Sequence, residues 1–293
     1  MLNPTLPPCK SSFHQNLIVG LSLSYATIYK ELPLVSHILR LSRQIQNIRC
    51  HLDTKSELVE SFYNTRKSQE YQAVFDKTNP LVSVCIATYN RANLLTERAL
   101  ASVLNQTYAN LEILVVGDHC TDDTFGRLSS INDPRLKFYN LPKRGDYPVV
   151  PRLRWLVAGT TPMNHALALA KGDFITHIDD DDEQSPNRIE KLLTMAQENR
   201  ADLVWHPFWY EIKPNTWRLK PALDFRANQI TTSSVFYHRW FAKIPWDINA
   251  WRLEEPGDWN RFRKFDYLGA NLFRHPDALL KHYKEQANAG LSK

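Results

Sequence analysis

Between residues 81 and 205, short runs of consecutive apolar, β-branched residues alternate with stretches whose apolar positions recur every three or four residues. Runs of the first kind predict buried strands, and the recurring positions predict helices with one covered face. The strands fall at 81–88, 111–116, 136–139, 173–178 and 201–205. Helical patterns lie at 93–105, 122–128 and 162–170. A further helix opens at Ser185 and Pro186, with a stripe of Ile189, Leu192, Leu193 and Ala196. This succession predicts an α/β fold, a Rossmann-like and mostly parallel sheet flanked by helices and joined by right-handed crossovers.

The flanking segments read differently. Leu34, Ile38, Leu41, Ile45, Ile48 and Leu52 step alternately by four and three, forming a seam on one helix face, and Leu58, Val59, Phe62, Tyr71, Val74 and Phe75 continue a helical pattern. The seam covers fewer heptads than a coiled coil needs, so packing onto the main domain is expected ahead of oligomerisation through these helices. Thr78-Asn79-Pro80 marks the boundary between an N-terminal helical extension (1–79) and the main domain (80–293), whose halves meet at 205/206. Residues 141–161 fit no periodic template and carry Lys143, Arg144, Arg152 and Arg154, so a loop covering the site is expected there. Beyond Trp205 the pattern turns antiparallel around Lys213-Pro214-Asn215. A strand at 230–237 and helices at 258–265 and 276–286 are predicted to close the chain.

Composition narrows the function. A net charge of +5 over 293 residues, mixed with many acids, does not make the basic stripe of a nucleic-acid binder, although a mild attraction to anionic lipid or nucleotide fits it. Cys9, Cys50, Cys85 and Cys120 have no CxxC spacing, which suits free thiols in a reducing compartment. A cytoplasmic protein, peripheral to the membrane at most, is the expectation. The apolar run at 17–29 is broken by Ser22, Ser24 and Thr27 and falls short of the ~20 residues of a membrane span. It also lacks the form of a signal peptide.

Candidate chemistry gathers where strands end. Thr88-Tyr89-Asn90-Arg91, Gly117-Asp118 and the four acids Asp179, Asp180, Asp181 and Asp182 each follow a predicted strand, and in a parallel sheet such loops converge on one edge. Four crowded carboxylates repel one another unless a cation offsets them, and Mg²⁺ or Mn²⁺ is held by carboxylates together with phosphate oxygens. Neither GxGxxG nor GxxxxGK[ST] occurs, so a dinucleotide cradle and a P-loop both lack their hallmark.

The order VSVCIATYNR, LNQTYANLEILVVGDHCTDDT and NHALALAKGDFITHIDDDDEQSPNR resembles the inverting glycosyltransferases of family 2, with their GT-A fold and DxD motif, over roughly residues 80–270. The resemblance implies a UDP-sugar donor, a saccharide or lipid-linked acceptor, and Mn²⁺ or Mg²⁺ as cofactor. It places Thr88, Tyr89 and Asn90 around the base, with Arg91 beside them, and has Asp118 accept hydrogen bonds from the base at a position where family members often carry two acids. Asp179 and Asp180 serve the ribose and the surroundings of the metal, Asp181 coordinates it directly, and Asp182 supports the turn. Asn164 matches a family Asn whose preceding basic residue is Met163 here, so Arg152 or Arg154 would supply the positive charge toward the diphosphate. Asp258, in Gly257-Asp258-Trp259, matches the family's base, with Glu254 and Glu255 as fallbacks. Trp246, Trp251 and Trp259 are the candidate acceptor contacts. A late histidine completes the metal site in some GT-A enzymes, but none of His238, His275 and His282 is assigned that role here. A degenerate, non-catalytic nucleotide- or glycan-binding module is the first rival. The second, a sugar nucleotidyltransferase, would carry a Gly-rich basic loop after the first strand, which Ala87-Thr88-Tyr89-Asn90-Arg91 is not.

Overall fold

A computed structural model describes residues 56–284, with Leu41, Ile45 and Thr54 before them. The seam at 34–52 therefore lies almost wholly outside the described residues. Helix α1 (Ser56–Arg66), helix α2 (Gln69–Ala73) and a 3₁₀ turn (Val74–Asp76) lead to strand β1 (Val82–Thr88). Phe62, Tyr71, Val74 and Phe75 enter the same hydrophobic core as the sheet. Polar ties fix the pair as well: Asp202 accepts from Arg66 Nε and from Tyr71 Oη, each at 2.6 Å.

The main sheet has seven strands in the order β10-β6-β9-β4-β1-β2-β3. They are β2 (Leu111–Gly117), β3 (Leu136–Asn140), β4 (Phe174–His177), β6 (Leu203–Trp205), β9 (Val235–His238) and β10 (Leu272–Arg274), with β1 near the centre. Only β9 runs against its neighbours β4 and β6, and the remaining pairs are parallel. The mostly parallel sheet follows from the sequence pattern: every residue of β2 and β4 is buried, as expected of strands covered on both faces.

The helices are α3 (Ala92–Leu94, a π-helical stretch Leu95–Leu100, then Ala101–Leu104), α4 (Thr124–Ser129), α5 (Pro151–Val157), α6 (Thr160–Leu169), α7 (Arg188–Asn199) and α8 (Gly257–Tyr267). Helix α7 buries the expected stripe of Ile189, Leu192, Leu193 and Ala196, but it begins at Arg188, because Glu183–Gln184 forms the short strand β5 and Ser185 sits in the turn that follows.

Three further expectations are corrected. Residues 141–161 are not one loop, since α5 occupies 151–157 and α6 starts at Thr160; Pro151 opens α5, with Val157 buried and Leu153 and Leu156 half-buried at helical spacing. The strand at 230–237 shrinks to β9 because Thr231 caps a 3₁₀ turn over Thr232–Ser234. The helix at 276–286 is absent among the described residues. Its place is taken by β11 (Leu280–His282), in a second sheet ordered β5-β11-β7-β8 with β7 (Phe208–Lys213) and β8 (Thr216–Lys220). No helix among the described residues is long and apolar enough to cross a membrane.

His238, at the end of β9, illustrates how the extension and core are joined. Its ring stacks on Tyr71 at 3.8 Å between centroids, and its Nδ1 accepts from Trp240 N at 3.1 Å. Burial pushes its pKa from 6.5 down to about 3, so the folded state refuses a proton that the unfolded chain accepts. Its contribution is therefore complete above pH 6.5 and is lost as pH falls, at about 1.4 kcal/mol per unit. His238→Gln should destabilise the protein at pH 7.5, with the deficit relative to wild type shrinking by about 2 kcal/mol at pH 5. Urea titrations of both proteins at the two pH values check this, and a deficit independent of pH would refute it.

Candidate active site

Strands β1, β2 and β4 lie side by side, with Thr88 opposite Gly117 and Cys85 opposite His177, so the three loops expected to carry chemistry leave the same sheet edge. The loop after β1 is tied to the acidic turn. Thr88 Oγ1 donates to Asp180 Oδ2 at 2.7 Å, and Arg91 Nη1 reaches Asp180 Oδ1 at 3.1 Å and Asp181 Oδ2 at 2.9 Å. Arg98, in the π-helical stretch of α3, donates to the Asp181 carbonyl at 2.7 Å. Irregular helical turns of this kind recur at functional sites.

Asn90, with φ of 50°, accepts from Thr121 N at 2.8 Å and Asp122 N at 3.3 Å. It joins the first two loops, and Asn tolerates this left-handed backbone better than most residues. At Gly117 a Cβ would come within 2.6 Å of Asn140 Oδ1, while Asn140 holds Cys120 through both its N and its O. A side chain at this position would therefore have to shift Asn140 and crowd Cys120 and Phe138.

Asp118 is buried, which raises its pKa, and it accepts from Gly145 N at 3.0 Å. Arg144 lies 3.8 Å from its other oxygen and places its guanidinium 3.6 Å from the centroid of the Tyr89 ring. Within segment 141–150, Gly145 and Arg144 thus lie against Asp118, and Arg144 against Tyr89.

The acidic turn closes through Asp182 N donating to Asp179 O at 3.1 Å. Ser233 clamps it from the 3₁₀ turn, accepting from Asp179 N at 2.9 Å and donating to Asp182 Oδ2 at 2.8 Å. Strand β11 brings His282 Nδ1 to 3.0 Å from Asp182 Oδ2 and Tyr283 N to 3.2 Å from Asp182 Oδ1. Ligand atoms of Asp179, Asp182 and His282 all lie within 4.8 Å of one another. Asp181, expected on the metal, instead faces Arg91; burial and the charges of Asp180 and Asp182 push its pKa up to about 7. Burial and the neighbouring Asp182 and Asp181 raise Asp179 well above the usual carboxylate range. For His282 burial opposes the charged form, but Asp182 beside it lifts the pKa to about 9.

Asp258 sits in the first turn of α8, where its Oδ1 accepts from Trp259 N at 2.6 Å. Burial raises its pKa, and its charge is felt by Asp179 and His282. Glu255, a fallback base, is buried and accepts from Asn260 Nδ2 and Arg263 Nε, each at 2.9 Å; Glu254 is exposed. Asn164 donates to Trp246 O at 2.9 Å and accepts from Trp246 N at 2.8 Å, so it fixes backbone in this conformation and does not point freely into the site. Trp246 and Trp259 pack in the core, Trp246 against His177 and Phe262, while Trp251 is half-buried on the segment before Asp258. Arg152 is exposed and Arg154 half-buried.

Sequence reasoning gave no role to Ser233 or His282 at the acidic turn, nor to Arg144 on Tyr89.

The mostly parallel sheet flanked by helices, with the acidic turn following β4, has the GT-A architecture. The family model described as Glycosyl transferase family 2 matches residues 83–148 and 158–258, more than half of the chain, and the chain belongs to that family. Over 137 residues it is 37% identical to the putative colanic acid biosynthesis glycosyl transferase WcaA of Escherichia coli (strain K12), a match covering 46% of this chain and 43% of that one. Over 124 residues it is 33% identical to the GalNAc(5)-diNAcBac-PP-undecaprenol beta-1,3-glucosyltransferase of Campylobacter jejuni, covering 42% and 36%. The chain thus spans less than half the length of these relatives. Among solved structures, S. aureus TarS 1-349 in complex with UDP superposes with a TM-score of 0.55 at 21% identity, over 70% of this chain and 60% of that one.

Proposed function

We propose that the chain is a metal-dependent, inverting glycosyltransferase that moves a sugar from a UDP-sugar to a hydroxyl of a saccharide or lipid-linked acceptor. The observation that carries this reading is the meeting of Asp179, Asp182 and His282, with ligand atoms within 4.8 Å, near the half-buried Asp258. Residues 80–205 would hold the donor and residues 206–293 the acceptor and base. UDP is the carrier in the TarS complex named above, and the Campylobacter relative's name describes a lipid-linked acceptor.

Two carboxylates and one imidazole fit a divalent cation, and the nitrogen donor favours Mn²⁺ over Mg²⁺. In this reading Asp182 takes the direct coordination first expected of Asp181. A bound cation would offset the charge of the departing diphosphate. Asp258 accepts the proton of the acceptor hydroxyl as its oxygen bonds to the anomeric carbon. The bond from that carbon to the diphosphate oxygen breaks, its electron pair leaves with UDP, and the single displacement inverts the anomeric configuration. Ser233 orients the acidic turn, and Tyr89 and Asp118 receive the base once Arg144 has moved aside.

The test is release of UDP from a panel of UDP-sugars with Mn²⁺ or EDTA, with the anomeric configuration of the product read by NMR. UDP release that survives EDTA, or a retained configuration, would sink the mechanism. Separately, Asp182→Ala and His282→Ala should each weaken Mn²⁺ binding at least tenfold, measured by the EPR signal of free Mn²⁺. Unchanged binding in both would remove the assigned ligands.

A further inference from the structure

Residues 142–149 are fastened lightly to the rest of the molecule. At one end Leu141 N donates to Gly117 O at 2.9 Å, and at the other Pro151 opens α5. Between them, among the described residues, the backbone N–H groups donate outside the stretch once, from Gly145 to Asp118 Oδ1 at 3.0 Å. Lys143 and Asp146 face each other at 3.7 Å on the solvent side, their side chains 80% and 90% exposed, and Val149 is exposed as well. A stretch that buries so little apolar surface opens at low cost. Its central residues, Arg144 and Gly145, nevertheless turn toward the sheet edge and are half-buried there.

What these two residues touch is the chemistry a nucleobase would use. The planar guanidinium of Arg144 lies 3.6 Å from the centroid of the Tyr89 ring and 3.8 Å from Asp118 Oδ2, while Gly145 N–H donates to Asp118 Oδ1. A flat group on an aromatic ring, joined to an N–H aimed at a carboxylate, is the pair of contacts that a uracil ring and its imide N–H would make with the same two side chains. Both Asp118 oxygens are faced from within the chain and the residue is 3% exposed, so a base cannot reach it while the stretch is seated. The seat is cut for glycine, since a Cβ on Gly145 would run into Thr161 Oγ1 and lie 2.8 Å from Tyr147 Oη.

We propose that Arg144 and Gly145 act as a built-in stand-in for the nucleobase, seated on Tyr89 and Asp118 and closing the donor subsite until a nucleotide displaces them. The proposal rests on the donor roles given to Tyr89 and Asp118 above. The competing arrangement keeps Arg144 in place as a wall of the base site, and the two differ in sign. A plug weakens apparent affinity by the fraction of molecules in which the site is open, so removing it tightens binding, whereas removing a wall weakens it.

Calorimetric titration of UDP with Mn²⁺ present, on the full chain and on its Arg144→Ala and Gly145→Ala variants, tests it. Each variant should bind UDP roughly threefold to thirtyfold more tightly than wild type, the span expected when a cation–π contact or a charged hydrogen bond that favours the closed form is lost. In wild type without nucleotide the Gly145 amide should be protected from hydrogen exchange, and both UDP and the Arg144→Ala change should speed that exchange. An Arg144→Ala protein that binds UDP no more tightly than wild type overturns the proposal, and one that binds it more weakly makes Arg144 a wall of the site; either result leaves the donor roles standing. Failure of UDP to bind wild type and both variants overturns the donor roles and the plug with them. Arg144 is half-buried at the surface, so its variant decides the matter even where Gly145→Ala does not fold.

Discussion

Asp258→Asn should lower kcat by about 10²- to 10⁴-fold, the range expected when a general base is removed, while donor affinity stays within about threefold. The side chain holds its place through Oδ1, which accepts from Trp259 N at 2.6 Å, and an Asn Oδ1 can accept the same hydrogen bond. What Asn cannot do is take the hydroxyl proton. The position also carries two opposed influences. A negative charge in the first turn of α8 interacts favourably with the helix dipole, whereas burial disfavours ionisation and raises the pKa. A carboxylate with a raised pKa is the stronger base. Glu255 cannot readily substitute, being engaged by Asn260 and Arg263. UDP release gives kcat, and calorimetric titration of UDP gives donor affinity. Turnover within threefold of wild type would remove Asp258 as the base.

The largest stability effect is expected at Arg188, which is 0% exposed and has no carboxylate among its hydrogen-bond partners. Its Nε donates to His206 Nε2 at 2.9 Å, Nη1 to Thr176 Oγ1 at 2.9 Å and Gln184 Oε1 at 3.2 Å, and Nη2 to the carbonyls of Ser233 at 2.8 Å and Val235 at 3.2 Å. Burial lowers its pKa to about 9, which leaves it charged at neutral pH. The acceptors were desolvated to meet this one guanidinium. Arg188→Met would fill much of the volume yet leave several of them unmatched, a loss of about 3–5 kcal/mol. In a domain stable by about 5–15 kcal/mol this is a large share, and a fall in melting temperature of about 10 °C is expected. Because Ser233 is held by Arg188 through its carbonyl and grips Asp182 through its hydroxyl, Mn²⁺ binding should weaken as well. A melting temperature within 2 °C of wild type would refute this account of the network.

The elements most legible in the sequence are those whose burial is set by local pattern. Unbroken apolar runs placed β1, β2 and β4, and the stripe from Ile189 to Ala196 placed α7, because a covered strand or helix face must be apolar whatever covers it. The hairpin at Lys213-Pro214-Asn215 was legible in the same way, with Asn215 taking φ of 59° between β7 and β8. Strand β11 was not. Pro276 and the polar residues after it fit a helix start, but Leu280 and Lys281 pair with Gln184 and Glu183, almost a hundred residues earlier, and Lys281 and His282 with Trp209 and Tyr210. Helix α5 was missed because it is short and half its face is exposed, so its apolar positions on the two sides blur the period.

By itself the sequence determined the parallel sheet, the edge at which its loops meet and the chemical type of the residues delivered there, since each follows from periodicity and from what crowded carboxylates require. Only the tertiary structure decided which side chains meet. Asp181 is drawn to Arg91, while Asp182 is left facing His282 because Ser233 and β11, each remote in sequence, close on it from two sides. Pairings across such separations depend on how whole strands register against one another, and no local pattern encodes that register.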